Sequence, residues 1–184
     1  SPNLKNNLLK GDNHLEDNLP IVGSSPVMQN IYRILSKVID TDFNILIEGK
    51  SGTGKNLIAK VLHDFGTRKD KNFLDVNLSL MSLKELQDIF LENFEGQSDI
   101  TVGTLFLDEI SNANIEVQNF ILSVLNKRES SIKGYKDLKI VSSSRQDLKE
   151  AIENGRFRED LYYRLNEVSV VIPLLEERLG DVPE

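Results

Sequence analysis

Seven residues, Gly49-Lys50-Ser51-Gly52-Thr53-Gly54-Lys55, constrain this chain more than any others. They form a GxxxxGK string, which arises by chance in roughly one chain in twenty of this size, so its surroundings decide what it means. It follows the short apolar run Asn44–Glu48 and opens a helix expected over about Lys55–Phe65. Strand, glycine turn and helix in that order suit a bound phosphate. Glycines let successive backbone N–H groups turn inward, the helix N-terminus adds positive potential, and Lys55 reaches the β- and γ-phosphates. The bland alternative is a Gly-rich turn with a surface lysine. After the lysine, where a phosphate loop usually has a Ser or Thr hydroxyl for Mg²⁺, stands Asn56, whose amide oxygen can serve.

Composition narrows the classes open to such a chain. Its 184 residues suit one domain, and 39% hydrophobic residues suffice for a core. Acids outnumber bases 29 to 22, for a formal charge of −7. That balance argues against gripping nucleic acid by charge and leaves room for one local anion pocket. Without cysteine there is no disulfide, thiol nucleophile or cysteine-held metal, and His14 and His63 are the only imidazoles. No apolar run approaches the roughly 18 residues of a membrane span, and a cytoplasmic chain is expected. Residues 1–18, rich in Asn, Asp and Lys, read as a linker or tail, and residues 19–184 as the folded unit.

Hydrophobic periodicity then lays out the unit. Ser24 or Ser25 caps a helix with Val27, Ile31, Ile34, Leu35 and Val38 on one face. Strands are expected at Asn44–Glu48, Phe73–Asn77, Thr104–Asp108, Leu138–Ser143 and Glu167–Ile172. Between them lie helices at Lys55–Phe65, Ser82–Leu91, Asn114–Asn126, Asp147–Asn154 and Arg158–Leu165. Strands alternating with helices mean crossover connections, so the expected fold is a three-layer α/β domain on a five-stranded parallel sheet. His63, Tyr162 and Tyr163 read as packing residues rather than as reactive or stacking groups.

The run Leu105-Phe106-Leu107-Asp108-Glu109 is a hydrophobic strand ending in two carboxylates. In phosphate-loop NTPases an acid there holds Mg²⁺ through water, which assigns Asp108 to the metal. A neighbouring acid can orient and deprotonate the attacking water, which assigns Glu109 as the base. Paired acids at a strand end are common. They gain weight because both strands end at the same carboxyl edge of one sheet, where open α/β sheets bind ligands.

GKSGTGK, GTLFLDEI (Gly103–Ile110) and GRFREDLYYRLN (Gly155–Asn166) together resemble the central AAA+ ATPase domain of NtrC-type bacterial enhancer-binding transcription regulators. PIVGSSPVM (Pro20–Met28) resembles that domain's opening segment, and EERLGDVP (Glu176–Pro183) the stretch before its helical lid. The resemblance implies a AAA+ P-loop NTPase, here the α/β subdomain without the lid, with ATP and Mg²⁺ as ligands. It implies ring assembly with copies of itself, RNA polymerase as a partner, and DNA contact through a domain outside this chain. It puts Ile21, Val22 and Gly23 against adenine. Asn77 matches an asparagine that restrains the catalytic glutamate, and Arg158 and Arg164 match arginines that enter the neighbouring subunit's site. Composition alone would make those two arginines a solvated face with Glu159 and Asp160 as partners.

Two departures qualify what carries over. The family reaches sigma-54 through a long loop bearing GAFTGA, whereas only Leu91–Val102 (LENFEGQSDITV) joins Phe90 to Gly103 here. Phe94 and Gly96 are at most a remnant of it, and sigma-54 remodelling is not expected. The short loop and the Ser142-Ser143-Ser144 run suggest the NtrX branch. Where the family usually ends its fourth strand in a phosphate-sensing asparagine, Arg145 stands after those serines. A guanidinium donates to phosphate but accepts nothing from water. Two functions therefore stay open: an ATPase acting in an assembled oligomer, and a nucleotide-binding regulatory module without turnover. A small nucleotide kinase would share the loop and sheet and would leave Gly155–Asn166 unaccounted for.

Overall fold

Residues 26–96 and 101–173 are described by the computed structural model. The first helix, α1, spans Pro26–Val38, and it is followed by β1 (Ile45–Glu48), α2 (Lys55–Asp64) and β2 (Asn72–Asn77). Next come α3 (Leu83–Phe94), β3 (Val102–Asp108), a 3₁₀ turn at Ile110–Asn112 and α4 (Ile115–Glu129). The last elements are β4 (Lys139–Ser144), α5 (Leu148–Glu153), α6 (Glu159–Leu165) and β5 (Val168–Val171). The expected tail, the Ser24 or Ser25 cap, Ile21, Val22 and Gly23, and Glu176–Pro183 lie outside the described residues.

The sheet order is β2-β3-β4-β1-β5, with every neighbouring pair parallel. Central strands β3 and β4 are buried along their whole length, which is why they read as continuous runs rather than alternating ones. Alternate residues feed two cores. Leu46, Leu105, Leu107 and Ile140 pack with α3, α4, α5 and α6, while Ile45, Ile47, Phe106 and Val141 pack with α1 and α2. The three-layer α/β domain expected from the sequence is the fold observed.

Helix ends follow local chemistry. Ser82 accepts the Glu85 N–H to start α3, Asn114 accepts the Val117 N–H to start α4, and Asp147 accepts the Lys149 N–H to start α5. Beyond the end of α1, the buried Lys139 ammonium donates to the carbonyls of Val38 and Thr41. Burial pushes that lysine down to about 8.

Three sequence expectations change. On α1 the expected Ile31, Leu35 and Val38 are buried and Ile34 packs half-buried against the same core, but at the helix start Met28 is fully buried while Val27 is 44% exposed. Helix α3 runs past Leu91 to Phe94, and β3 starts at Val102, leaving residues 95–101 as the connection. Phe94 is no loop remnant. Its ring stacks on Tyr135 at 4.7 Å between centroids and on Phe90 at 5.1 Å, and the helix continues through it because those rings bury it.

Candidate functional site

The site is built at the carboxyl edge of β1, β3 and β4. β1 ends at Glu48, and Gly49 donates its N–H to the Ser144 carbonyl of β4. A side chain at Gly49 has no room: its Cβ would lie 2.8 Å from Thr53 Oγ1 and 3.1 Å from the Ile172 carbonyl oxygen. Thr53, itself buried, donates its hydroxyl to the Lys50 carbonyl at 2.7 Å and closes the turn. Gly52 and Gly54 have φ of +80° and +95°, left-handed values that glycine reaches without a Cβ penalty. Gly54 then caps α2, and the loop runs into that helix's N-terminus.

Lys55 curls back over this loop. Its ammonium donates to the carbonyls of Gly49 at 2.5 Å and Lys50 at 3.0 Å, and stands 3.8 Å from Glu109 Oε1. Burial lowers the lysine below its ordinary value, opposed by the charges of Glu109 and Asp108. Ser51, Gly52, Gly54, Lys55, Asn56, Asp108 and Glu109 line a cavity of about 400 Å³. Loop, lysine and acidic pair thus share one chamber, with Asn56 exposed on its wall.

The two acids are held differently. Asp108, buried, closes β3 one residue beyond the Leu107–Ser142 pair, and its Oδ1 accepts the Ser143 hydroxyl at 2.8 Å. Glu109 adopts φ 59° and ψ 57°, a left-handed conformation that costs a non-glycine residue energy. Its N–H donates to the same Ser143 oxygen at 3.0 Å, which supports that bend. Glu109 Oε2 faces Arg145, whose N–H lies at 3.4 Å and whose Nε lies at 3.8 Å.

The remaining site expectations fall elsewhere. Asn77 uses its side-chain oxygen to accept the Ser79 N–H at 2.9 Å, a local turn bond, while the charged groups that face the Glu109 carboxylate are Lys55 and Arg145. Arg158 forms a two-toothed pair with Asp160 and donates to Asn119. Arg164 donates to Asn126 and pairs with Glu129 at 2.8 Å. Both are held by their own chain, Arg158 by the Asp160 that composition suggests and Arg164 by Asn126 and Glu129 instead of Glu159 or Asp160, and neither lines the loop chamber. Arg164 instead lines a separate cavity of about 460 Å³ with Asn44, Arg128 and Glu167.

Ser143, Asn112 and Ser79 were not assigned to the site from sequence. Asn112, in the 3₁₀ turn, donates to Ser79 Oγ and accepts a long 3.5 Å contact from Arg145. A run of three serines inside an otherwise apolar core strand was the signal for Ser143. Of the packing residues, His63 is buried, 2.8 Å from Thr104 Oγ1 and edge-on to Phe73, and burial lowers its proton affinity. Tyr162 is buried with its hydroxyl accepting from Asn166, whereas Tyr163 is 66% exposed. Among the described residues no helix is long and apolar enough to cross a membrane.

Comparison with known proteins fits this architecture. Residues 21–171 match the model of the Sigma-54 interaction domain. The DNA-binding transcriptional regulator NtrC of Bradyrhizobium sp. (strain RP501 Parasponia) is 38% identical over 185 residues, covering 91% of this chain and 38% of that protein. The chain thus spans well under half the length of such relatives. Among solved structures, NtrX from Brucella abortus in complex with ADP superposes with a TM-score of 0.74 at 31% identity, covering 97% of this chain and 43% of that one. NtrX from the same organism in complex with ATP gives 0.73 at 32% identity, covering 88% and 40%. With a glycine loop, a lysine and an acidic strand end meeting in one chamber of a 2-3-4-1-5 sheet, this chain belongs to the sigma-54 interaction domain family, the AAA+ central domains of NtrC-type regulators.

Proposed function

We propose that this domain binds Mg-ATP at Gly49–Lys55 and hydrolyses it when assembled with further copies of itself, as the nucleotide-driven core of a transcription regulator. The observation that carries the reading is the shared chamber: Lys55, Asp108 and Glu109 line the same cavity as the glycine loop. Lys55 exchanges its carbonyl partners for β- and γ-phosphate oxygens, and the loop N–H groups and helix N-terminus hold the rest of the polyphosphate. Ile21, Val22 and Gly23 would receive adenine. Glu109 takes the proton of the attacking water, and Arg145 donates to the terminal phosphate. Arg158 and Arg164 serve a neighbouring copy's site, leaving their present partners on assembly.

The residues suit Mg²⁺ as a hard cation. Asp108 offers a carboxylate with one oxygen already oriented by Ser143, and Asn56 offers an amide oxygen. No cluster of three or more His, Cys, Asp or Glu that could hold a metal occurs among the described residues, so phosphate oxygens and water would complete its shell. When bound, the ion neutralises charge growing on the phosphate oxygens.

ATP turnover would switch oligomeric state or domain arrangement without remodelling a sigma-54 holoenzyme, because only residues 95–101 connect α3 to β3. RNA polymerase is then met, if at all, by other surfaces, and DNA by a domain outside this acidic chain, in the cytoplasm. A second reading, nucleotide as a regulatory ligand without turnover, is favoured by Asn56 and by the guanidinium of Arg145 beside the base. Single-turnover ATP hydrolysis at high protein concentration separates the two, with Glu109→Gln and Arg158→Ala alongside. Absence of hydrolysis selects the second reading, and hydrolysis indifferent to Arg158→Ala removes the shared site.

A further inference from the structure

The carboxylate of Glu109 sits between two cations. Lys55 Nζ is 3.8 Å from Oε1, and Arg145 Nε is 3.8 Å from Oε2. Glu109 and Lys55 line the chamber, with Glu109 15% exposed, whereas Arg145, 47% exposed, meets the Glu109 carboxylate from the β4 side. Arg145 is also guided from behind: its Nη2 points at Asn112 Oδ1, and Asn112 is tied to Ser79 on the loop after β2. The guanidinium therefore lies across the tips of β3 and β4, against a base whose carboxylate lines the chamber.

We propose that Arg145 is a positioning residue that latches Glu109 in the resting state and yields it when a terminal phosphate takes over the guanidinium. This rests on the reading of the chamber as an ATP site. The magnitudes favour such an exchange. A half-exposed ion pair at 3.8 Å is weakly held, and Arg145's bond to Asn112 is at the long limit of a hydrogen bond. A phosphate offers the same guanidinium shorter, charge-assisted, two-toothed bonds. A triphosphate can outcompete the carboxylate, and a diphosphate, which lacks the terminal group, leaves the latch closed. Restraint of the base, which the resemblance gives to Asn77, is exerted here from β4 by charge, since Asn77 is engaged with Ser79.

The latch makes residues 109 and 145 thermodynamically coupled, and a double-mutant cycle reads that coupling. The measured quantity is the ratio of affinities for AMP-PNP and ADP, each with Mg²⁺, on the whole chain by displacement of a fluorescent ADP. Arg145→Ala is expected to lower the ratio about tenfold, and Arg145→Lys, which keeps the charge without the fork, to restore part of it. Glu109→Gln frees the guanidinium and raises the ratio about fivefold in the native background. In the Arg145→Ala background the same change shifts it less than about twofold. Equal effects of Glu109→Gln in both backgrounds overturn the latch and leave the ATP site standing, because that pattern reports only repulsion between Glu109 and phosphate. Failure of either nucleotide to bind, with Lys55→Ala no different, overturns the ATP site and the latch together.

Discussion

Ser143 donates its hydroxyl to Asp108 Oδ1 at 2.8 Å, and the same oxygen accepts the N–H of Glu109 at 3.0 Å. One fully buried hydroxyl thus orients the carboxylate of one acid and fixes the backbone of the next. Replacement by alanine leaves a buried N–H without its partner and removes support from a left-handed glutamate. Ser143→Ala is expected to destabilise the fold by about 1–3 kcal/mol. It should slow single-turnover hydrolysis about tenfold while changing nucleotide affinity less than about threefold, because the loop and Lys55 are untouched. Urea denaturation and the two nucleotide assays together check this. A loss confined to affinity would contradict the assignment.

Phe94 gives a test of the connection between α3 and β3. Its stacking on Phe90 and Tyr135 makes it a core side chain, so Phe94→Ala should cost about 3–5 kcal/mol. That is a large part of the roughly 5–15 kcal/mol that holds a domain together. A surface-loop aromatic would cost almost nothing. Denaturant midpoints of the two proteins distinguish these outcomes.

Lys139 predicts a rise of stability on the alkaline side. It is held down to about 8 in the fold against an ordinary 10.5, mainly by burial. Between those values the unfolded chain binds more protons than the folded one, so stability increases with pH by about 1 kcal/mol per unit from pH 8 to 10. Tyr135 acts oppositely above pH 10, because burial pushes its hydroxyl up to about 12. Comparing native protein with Lys139→Met at each pH isolates the lysine. The stability difference should move in favour of the native chain as pH rises, and a constant difference would refute it.

His63 predicts the acid limb. Burial lowers it from 6.5, so the folded chain keeps it neutral while the unfolded chain takes up a proton. Stability is therefore lost as pH falls below about 6.5, the ordinary value for histidine. A His63→Gln variant should show a shallower fall between pH 6.5 and 5 in urea titrations. Parallel slopes would mean that the imidazole is solvated.

The sequence carried the frame of the site because its parts are local. Gly49–Lys55 follows a hydrophobic strand, and Asp108 and Glu109 end another, so chain order alone brings loop and acids to one sheet edge. What it did not carry depends on register and rotamer. That Ser143 lies against Asp108 follows only once Leu107 is paired with Ser142. That Asn77 turns to Ser79 reflects competition between neighbouring donors, which spacing does not resolve. On helix α1 only the first turn was misjudged, because Val27 and Met28 are adjacent apolar residues about 100° apart and either can continue the stripe through Ile31, Leu35 and Val38. Asp160 as a partner of Arg158 was legible from adjacency in sequence, whereas Glu129, 35 residues before Arg164, became its partner only in three dimensions.

The contact of Gly49 with Ile172 has a mechanical consequence. Where β5 ends, the Ile172 N–H donates to Glu48, and its carbonyl oxygen and Cβ lie within 3.2 Å of the place a Gly49 side chain would take. The exit of the chain from the sheet and the entrance to the glycine loop are thus wedged together with no slack between them. A side chain at residue 49 would therefore press on the end of β5 as well as on the glycine loop, so bulk introduced there disturbs both at once.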